Sequence, residues 1–289
     1  TLQMVLAQGH DPEPVRHQLA VWLSEARRFA DAWPLAERLV AERPTRLEYR
    51  FLAADVLRGL SRSADVRALL EAGVAPAKAA KVWRADVAAA YGQKALDVGH
   101  PDLAVLWTEE ALQLRRDAGG AVSGVQPQLL AWYGTLARAR SARGETDAAV
   151  KAATAAIAAG ANDRQRRQEA LDTLGAVLSA AKDLEAWQGR YDAEVAASGA
   201  DAPILRKALA AVFSQRGRAD LAVAQLRIAR DLDPLDGETH GLLVAALDRV
   251  GDAKGALDAL FASVRLAPRN LQAYPDLATR FERVGDAVA

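Results

Sequence analysis

The stretch LDRVGDAKGALDALFASVRLAP, residues 247–268, decides the fold because its opening letters LDRVGDA return 34 residues later as FERVGDA, residues 281–287. The same spacing holds one unit earlier along the chain. The matched pairs are Leu209 and Leu243, Ala210 and Val244, Phe213 and Leu247, Gly217 and Gly251, Ala222 and Ala256, Leu226 and Leu260, and Pro234 and Pro268. A third copy supplies Leu277, Ala278, Phe281 and Gly285. The chain therefore contains an internal repeat of 34 residues.

Each repeat has the pattern of two helices joined by a turn. Leu209, Ala210 and Phe213 lie at i, i+1 and i+4 and share one face of a first helix. The same kind of stripe on a second helix comes from Ala222, Leu226 and Ala229. Gly217 stands between the two helices, where a helix end favours a residue that tolerates positive φ, and Pro234 marks the stop before the next repeat. The sequence therefore predicts antiparallel helix pairs that stack on one another.

These residues resemble the tetratricopeptide repeat, in which leucine, glycine, aromatic and small residues recur with a closing proline at a period of about 34. The match is strongest from about residue 203 onward. The resemblance implies an all-α fold, a right-handed α-α superhelix of about seven repeats plus terminal half-repeats, with residues 1–289 forming a single solenoid. Repeats are expected to start near residues 13, 47, 85, 130, 168, 203, 237 and 271.

Two segments fall outside the regular pattern. Residues 115–127, RRDAGGAVSGVQP, have the Gly, Ser and Pro content of a loop and are predicted to be an insertion. That loop has two interpretations, a docking loop and a plain long connection. Residues 1–12 look like the second helix of an earlier repeat.

The composition limits the classes of function. Lys and Arg total 37, as do Asp and Glu, so the chain has no net charge to attract nucleic acid or an anionic membrane. The absence of cysteine excludes disulfides, thiolate metal sites and a cysteine nucleophile. No apolar run reaches the roughly 18 residues of a spanning helix. The sequence thus predicts neither nucleic-acid binding nor membrane insertion. It leaves cytoplasmic and periplasmic locations open, and its alanine and arginine usage is bacterial-like.

No residue pattern for catalysis or metal binding is present. The four histidines are scattered without metal-ligand spacing, at His10, His17, His100 and His240. The loop RDLDPLDGETH, residues 230–240, groups Asp231, Asp233, Asp236 and Glu238. Its spacing differs from that of an EF-hand, and a polar turn between repeats is the simpler interpretation. We therefore predict no catalytic residue, no metal site and no cofactor within these residues.

A groove lined by the first helices is the predicted binding surface. In the family that the chain resembles, positions 2, 5, 9 and 12 of each first helix commonly face that groove. They correspond here to Glu48, Phe51, Asp55, Arg58, Asp86, Gln93, Arg138, Glu169, Asp172, Lys207, Glu238, Asp248 and Glu282. Acids outnumber bases in this set, which favours a basic protein or peptide partner. The alternative is that these acids are solvated and bind nothing.

The resemblance implies a protein-interaction scaffold that holds a partner peptide or helix in its concave groove. Two other functions stay open: a substrate-recruiting arm of an enzyme whose catalytic domain lies elsewhere, and a periplasmic scaffold for polysaccharide export or secretion. Leu277 and Phe281 belong to a first helix without its own second helix in this sequence. Exposed apolar surface there would favour self-association through the C-terminal end.

Overall fold

A computed structural model describes residues 13–118, 127–160, 163–197 and 199–286. The chain divides into two compact units, Thr1–Glu145 and Thr146–Ala289. The described residues of the first unit form seven helices: α1 (Glu13–Glu25), α2 (Phe29–Glu42), α3 (Leu47–Gly59), α4 (Ser63–Ala79), α5 (Ala85–Asp97), α6 (Pro101–Asp117) and α7 (Pro127–Ala142).

The described residues of the second unit form eight helices and one 3₁₀ turn. They are α8 (Thr146–Ala159), α9 (Arg164–Ala180), α10 (Leu184–Ala197), the 3₁₀ turn (Gly199–Asp201), α11 (Ala202–Gln215), α12 (Ala219–Leu232), α13 (Gly237–Val250), α14 (Ala253–Leu266) and α15 (Ala273–Asp286). None of the residues described in either unit forms a β-strand. The predicted all-α fold class is confirmed.

Several consecutive helices pack as antiparallel hairpins, most extensively α5 with α6, α11 with α12 and α13 with α14. First helices also contact the first helix of the next pair, as α9 does α11 and α5 does α7. First helices therefore lie side by side in both units, α5 and α7 in the first and α9 and α11 in the second. The single continuous solenoid over residues 1–289 remains a prediction.

The repeated apolar positions form the core of the second unit. Leu209 and Phe213 of α11 are almost completely buried, as are their equivalents Leu243 and Leu247 of α13. Burial continues at Leu277 of α15, which is 8% exposed. Phe281, the equivalent of Phe213, is instead 52% exposed and meets the half-exposed ring of Phe261 edge-on. The predicted self-association through this end remains a prediction.

Glycine ends the first helices where the sequence indicated. Gly217 and Gly251 have φ values of 74° and 78°, in the left-handed region that glycine occupies without a Cβ clash. Non-glycine residues occupy the same region at Arg27, Ser61 and Lys81, with φ of 57°, 59° and 58°. These three positions therefore carry backbone strain of about 1 kcal/mol each.

Replacing Arg27 with glycine is expected to stabilise the first unit by about 0.5–1 kcal/mol, because relief of left-handed strain exceeds the added freedom of the unfolded chain. Urea unfolding followed by circular dichroism measures the change. The matched control is Arg27→Ala, which removes the same side chain but keeps a Cβ. Equal gains from both variants would show that the side chain, and not the backbone, is responsible.

Helix α9 ends without a glycine. Ala181 follows the helix with φ −63° and ψ 124°, an extended conformation. The guanidinium of Arg216, one residue beyond α11, donates Nη2–H bonds to the carbonyls of Ser179 (2.9 Å) and Ala181 (2.6 Å). A side chain of the next helix pair therefore satisfies the free carbonyls of this helix end.

Helices extend into both ends of the predicted insertion loop, residues 115–127. Helix α6 continues to Asp117, with Arg115 and Arg116 in its last turn, where basic side chains interact favourably with the helix dipole. Helix α7 already begins at Pro127, a residue suited to a first helical position. Residues 119–126 and the predicted N-terminal helix, residues 1–12, lie outside the described residues. First helices start at residues 13, 47, 85, 127, 164, 202, 237 and 273, each within four positions of its predicted repeat start.

Candidate functional site

A groove runs across the first helices α9, α11 and α13 of the second unit. It encloses about 590 Å³ and opens to solvent. Leu171, Ile204 and Leu242 form the apolar part of its walls, and the lining also includes polar residues such as Gln168 and Gln215. Small residues form much of its lining and leave the groove open, at Gly175, Ala176, Ala208 and Ala211. We call this surface the α9–α11–α13 groove.

The helical period explains why these residues meet. Gln168, Leu171, Asp172, Gly175, Ala176 and Ser179 recur every three or four residues along α9. A matching series lies on α11, from Ile204 to Gln215. Because α9 and α11 contact each other side by side, the two series form one surface.

The groove continues between α11 and α13. A second cavity of about 280 Å³ shares Lys207, Ala211 and Leu242 with the first, and its lining includes Leu226 of α12. Arg249 of α13 also lines this part. Lys207 therefore lies where the two parts of the groove meet.

Three carboxylates and one ammonium form the charged edge of the groove: Asp172 lies midway along α9, Lys207 lies on α11, and Asp236 and Glu238 lie at the start of α13. The Nζ of Lys207 is 2.9 Å from Asp236 Oδ2 and 2.6 Å from Glu238 Oε2. Burial favours loss of the Lys207 proton, but the hydrogen bonds to Glu238 and Asp236 outweigh it and raise the pKa of Lys207. The fourth charge is Asp172, which accepts a hydrogen bond from Gln168 Nε2 at 2.9 Å.

Asp236 also caps α13. Its carboxylate accepts the backbone N–H of Glu238 at 3.1 Å and the hydroxyl of Thr239 at 2.6 Å. Although burial raises the pKa of Asp236, the hydrogen bonds from Thr239 and Lys207 outweigh it and hold that pKa below its usual value. Asp236 is thus one carboxylate with three donors from two helix pairs.

The other acids of the loop 230–240 also have local partners. Asp231 pairs with the neighbouring Arg230 at 2.7 Å, and Asp233 accepts the backbone N–H of Leu235 at 3.3 Å. Across the described parts of the chain, no three His, Asp or Glu residues are placed to hold a metal ion. These contacts fit the polar-turn interpretation of the loop.

In the first unit, predicted groove residues contact the next first helix. Asp55 of α3 pairs with Lys94 of α5 at 2.9 Å. Arg58 donates to the carbonyl of Asp97 at 2.9 Å, and the ring of Phe51 lies 5.4 Å from that of Tyr91. These side chains link α3 to α5.

A similar link joins α5 to α7. The amide oxygen of Gln93 accepts the Thr135 hydroxyl at 2.6 Å and the Arg138 guanidinium at 3.1 Å. Gln93 also donates to Asp97 at 2.7 Å. Its hydrogen-bonding groups are therefore engaged within the unit.

The remaining predicted residues occupy other surroundings. Asp86 lines a separate cavity of about 570 Å³ in the first unit, together with Trp83 and Trp132. Asp248 is held by both Nη atoms of Arg280, at 2.6 and 2.8 Å, which lower its pKa. The other three, Glu48, Glu169 and Glu282, are exposed. Of the predicted set, the structure brings Asp172, Lys207 and Glu238 together in one groove.

Sequence reasoning missed Lys94, Asp236 and Arg280, which neutralise or fix members of the predicted set. Only Asp236 left a signal in the sequence. An aspartate directly before a predicted helix start is a typical N-cap.

Comparisons with known proteins concern the repeat type. No protein-family model matches the sequence, and no curated protein sequence matches it. One similar solved structure is a kinesin light chain from Podosopora anserina whose TPR-like repeats are nearly identical to one another. It is 19% identical to this sequence over 70% of this chain and 95% of that chain, with a TM-score of 0.47. Part of a TPR protein from Cytophaga hutchinsonii is 16% identical over 90% of this chain and 99% of that chain, with a TM-score of 0.40.

A third similar structure is a TPR protein from Thermus thermophilus. Its identity is 18% over 93% of this chain and 99% of that chain, and its TM-score is 0.28. All three are tetratricopeptide repeat structures, the repeat type that the sequence resembles. Because these TM-scores lie below 0.5, the function proposed below rests on the groove itself.

Within the described ranges, no helix combines the length and apolar character needed to cross a bilayer.

Proposed function

We propose that this chain is a protein-interaction scaffold that binds a peptide or helical segment of a partner protein in the α9–α11–α13 groove. The observation that carries the proposal is an open groove of about 590 Å³ with apolar side chains in its walls, small lining residues and a charged edge. Peptide-sized recognition sites combine an apolar surface with a few fixed polar groups in this way.

The size and lining of the groove fit a short segment. Leu171, Ile204 and Leu242 supply apolar contacts for one or two side chains of the partner. Because Ala208 and Ala211 present only methyl groups, the partner backbone is able to approach α11 closely. A helix that presents leucine or alanine on one face satisfies both conditions.

The charged edge favours a partner that carries lysine or arginine. Asp172 has no cation within ion-pair distance among the described residues, and Glu238 shares Lys207 with Asp236. Three carboxylates against one ammonium leave a net charge of −2 at this edge. Complementary charge on the partner steers its approach and its register.

A substitution that fills the groove tests the proposal. Peptides selected from a random display library on the immobilised chain are expected to bind Ala211→Phe at least about tenfold more weakly, because a benzyl group occupies the space of the partner backbone. The matched control is Ala224→Phe on α12, at an exposed position outside the groove lining. Fluorescence anisotropy with the labelled peptides measures each Kd.

Selected peptides should be enriched in lysine and arginine over the starting library. Equal affinity for the wild type and Ala211→Phe would place the binding site elsewhere on the chain and overturn the proposal. Enrichment of acidic peptides would overturn its charge component alone.

A further inference from the structure

We infer that Lys207 is the specificity-determining residue of the groove, because its ammonium occupies the position beside Glu238 that a basic side chain of the partner takes. This inference rests on the proposed function. Lys207 and a basic side chain of the partner compete for the same carboxylate, that of Glu238. Lys207 therefore sets how strongly the groove prefers basic over acidic segments.

Glu238 is the carboxylate that a partner reaches. Its side chain is 70% exposed, and Lys207 is its only ion-pair partner among the described residues. Asp236 is only 21% exposed and is committed to the α13 cap through Thr239 and the backbone N–H of Glu238. A partner cation thus competes for Glu238, while Asp236 stays in place.

Lys207 is well placed to act as this competitor. Its side chain is 16% exposed and lines both parts of the groove. Two carboxylates hold the ammonium, so it keeps one of its two ion pairs when Glu238 turns toward a partner. Binding of a basic segment therefore exchanges one ion pair for another, whereas an acidic segment meets the repulsion of Asp172 and Glu238.

Neutralising Lys207 should increase the preference of the groove for basic over acidic segments. In Lys207→Gln the charge at this edge changes from −2 to −3, and the amide N–H still donates to Asp236. At contact distance in a partly exposed site, the loss of one positive charge corresponds to about three- to tenfold tighter binding of a cation. The salt dependence of that binding should steepen as well.

The experiment compares two helical peptides of about 15 residues with the same leucine and alanine face, one with lysine and the other with glutamate on the opposite face. Kd values are measured by fluorescence anisotropy on the wild type, Lys207→Gln and Lys207→Arg. We expect the lysine peptide to bind Lys207→Gln about three- to tenfold more tightly than the wild type and Lys207→Arg. The glutamate peptide should bind none of the three more tightly.

Two further variants separate the causes. Arg280→Gln removes a cation from Asp248, which is outside the groove lining, so it controls for net charge. It should leave the Kd of the lysine peptide within about twofold. Glu238→Gln keeps the Lys207–Asp236 pair and should weaken the lysine peptide about three- to fivefold. This second variant tests the inference even if Lys207→Gln lowers the melting temperature.

Each other outcome overturns the inference. Tighter binding of both peptides to Lys207→Gln would mean that the Lys207 side chain hinders binding by its size and not by its charge. Unchanged binding of the lysine peptide to Lys207→Gln and Glu238→Gln would remove Lys207 from the recognition of charge. The proposed function would still stand if Ala211→Phe abolished binding. If neither peptide bound the wild type or any variant, and no displayed peptide was sensitive to Ala211→Phe, the proposed function itself would fail.

Discussion

Replacing Phe213 with alanine is expected to lower the free energy of unfolding of the second unit by about 3–5 kcal/mol. The ring is 1% exposed in the core beneath α11, the helix that forms the centre of the groove. Removing the ring loses the free energy gained by its burial, and it leaves a cavity that neighbouring helices fill only in part. The effect should reach the groove, because α11 carries Lys207, Ala208 and Ala211.

The chain supplies its own control at the equivalent position of the repeat. Phe281→Ala removes the same ring from a site that is 52% exposed, so its cost should stay below about 1 kcal/mol. Urea unfolding gives the global change, and hydrogen exchange of the α11–α13 amides gives the local one, since repeat arrays open in parts. Equal losses from the two variants would contradict the burial that distinguishes these sites.

Replacing Asp236 with alanine is expected to destabilise the second unit by about 2–3 kcal/mol. The change removes the cap of α13. Lys207 also loses its ion pair with Asp236, and the buried hydroxyl of Thr239 loses its acceptor. Asp236→Asn keeps an acceptor for the cap but no charge for Lys207, so its cost should be about 1 kcal/mol. Thermal and urea unfolding of both variants measure the two contributions.

A comparable cap is Asp252, which accepts the backbone N–H of Gly255 at 2.8 Å and whose ion pair with Arg227 is long, at 3.5 Å, and exposed to solvent. Asp252→Ala should cost about 1 kcal/mol, the usual value for a lost N-cap. If Asp236→Ala cost no more than this control, the link between Asp236 and Lys207 would contribute nothing to stability.

The same carboxylate predicts a pH dependence. The pKa of Asp236 is lower in the folded chain than its ordinary value near 3.8, so its stabilisation is fully present above that value. It is lost as the pH falls through the depressed folded pKa. The difference in stability between the wild type and Asp236→Asn should therefore be constant near neutral pH and shrink below about pH 4. A difference that grows on acidification would contradict the direction of this shift.

The repeat made the fold predictable. Apolar residues at a period of 34 indicated both helices of each pair, and Gly217 and Gly251 indicated where first helices end, because only a few residue types suit a left-handed turn. Helices α6 and α7 extend into the predicted loop, residues 115–127, because Gly, Ser and Pro content does not fix the residue at which a helix stops or starts. Arginines such as Arg115 and Arg116 suit a final helical turn as well as a loop.

The groove was predictable only in part. Asp172, Lys207 and Glu238 come together because the groove-facing sides of adjacent first helices share one surface. Ion pairing was not predictable, since Arg280 reaches Asp248 across 32 residues and Lys94 reaches Asp55 across 39. Long flexible side chains choose among several acids within reach, and repeat spacing does not fix that choice.

The contact of Arg216 with the end of α9 has a consequence for the order of events in folding. The carbonyls of Ser179 and Ala181 acquire their charged donor only when α11 has docked, because that donor follows α11 in the chain. The last turn of α9 is therefore completed after a later segment of the chain is in place. Conversely, transient detachment of α11 removes this donor and should fray the last turn of α9, so the C-terminal end of α9 is expected to open together with α11.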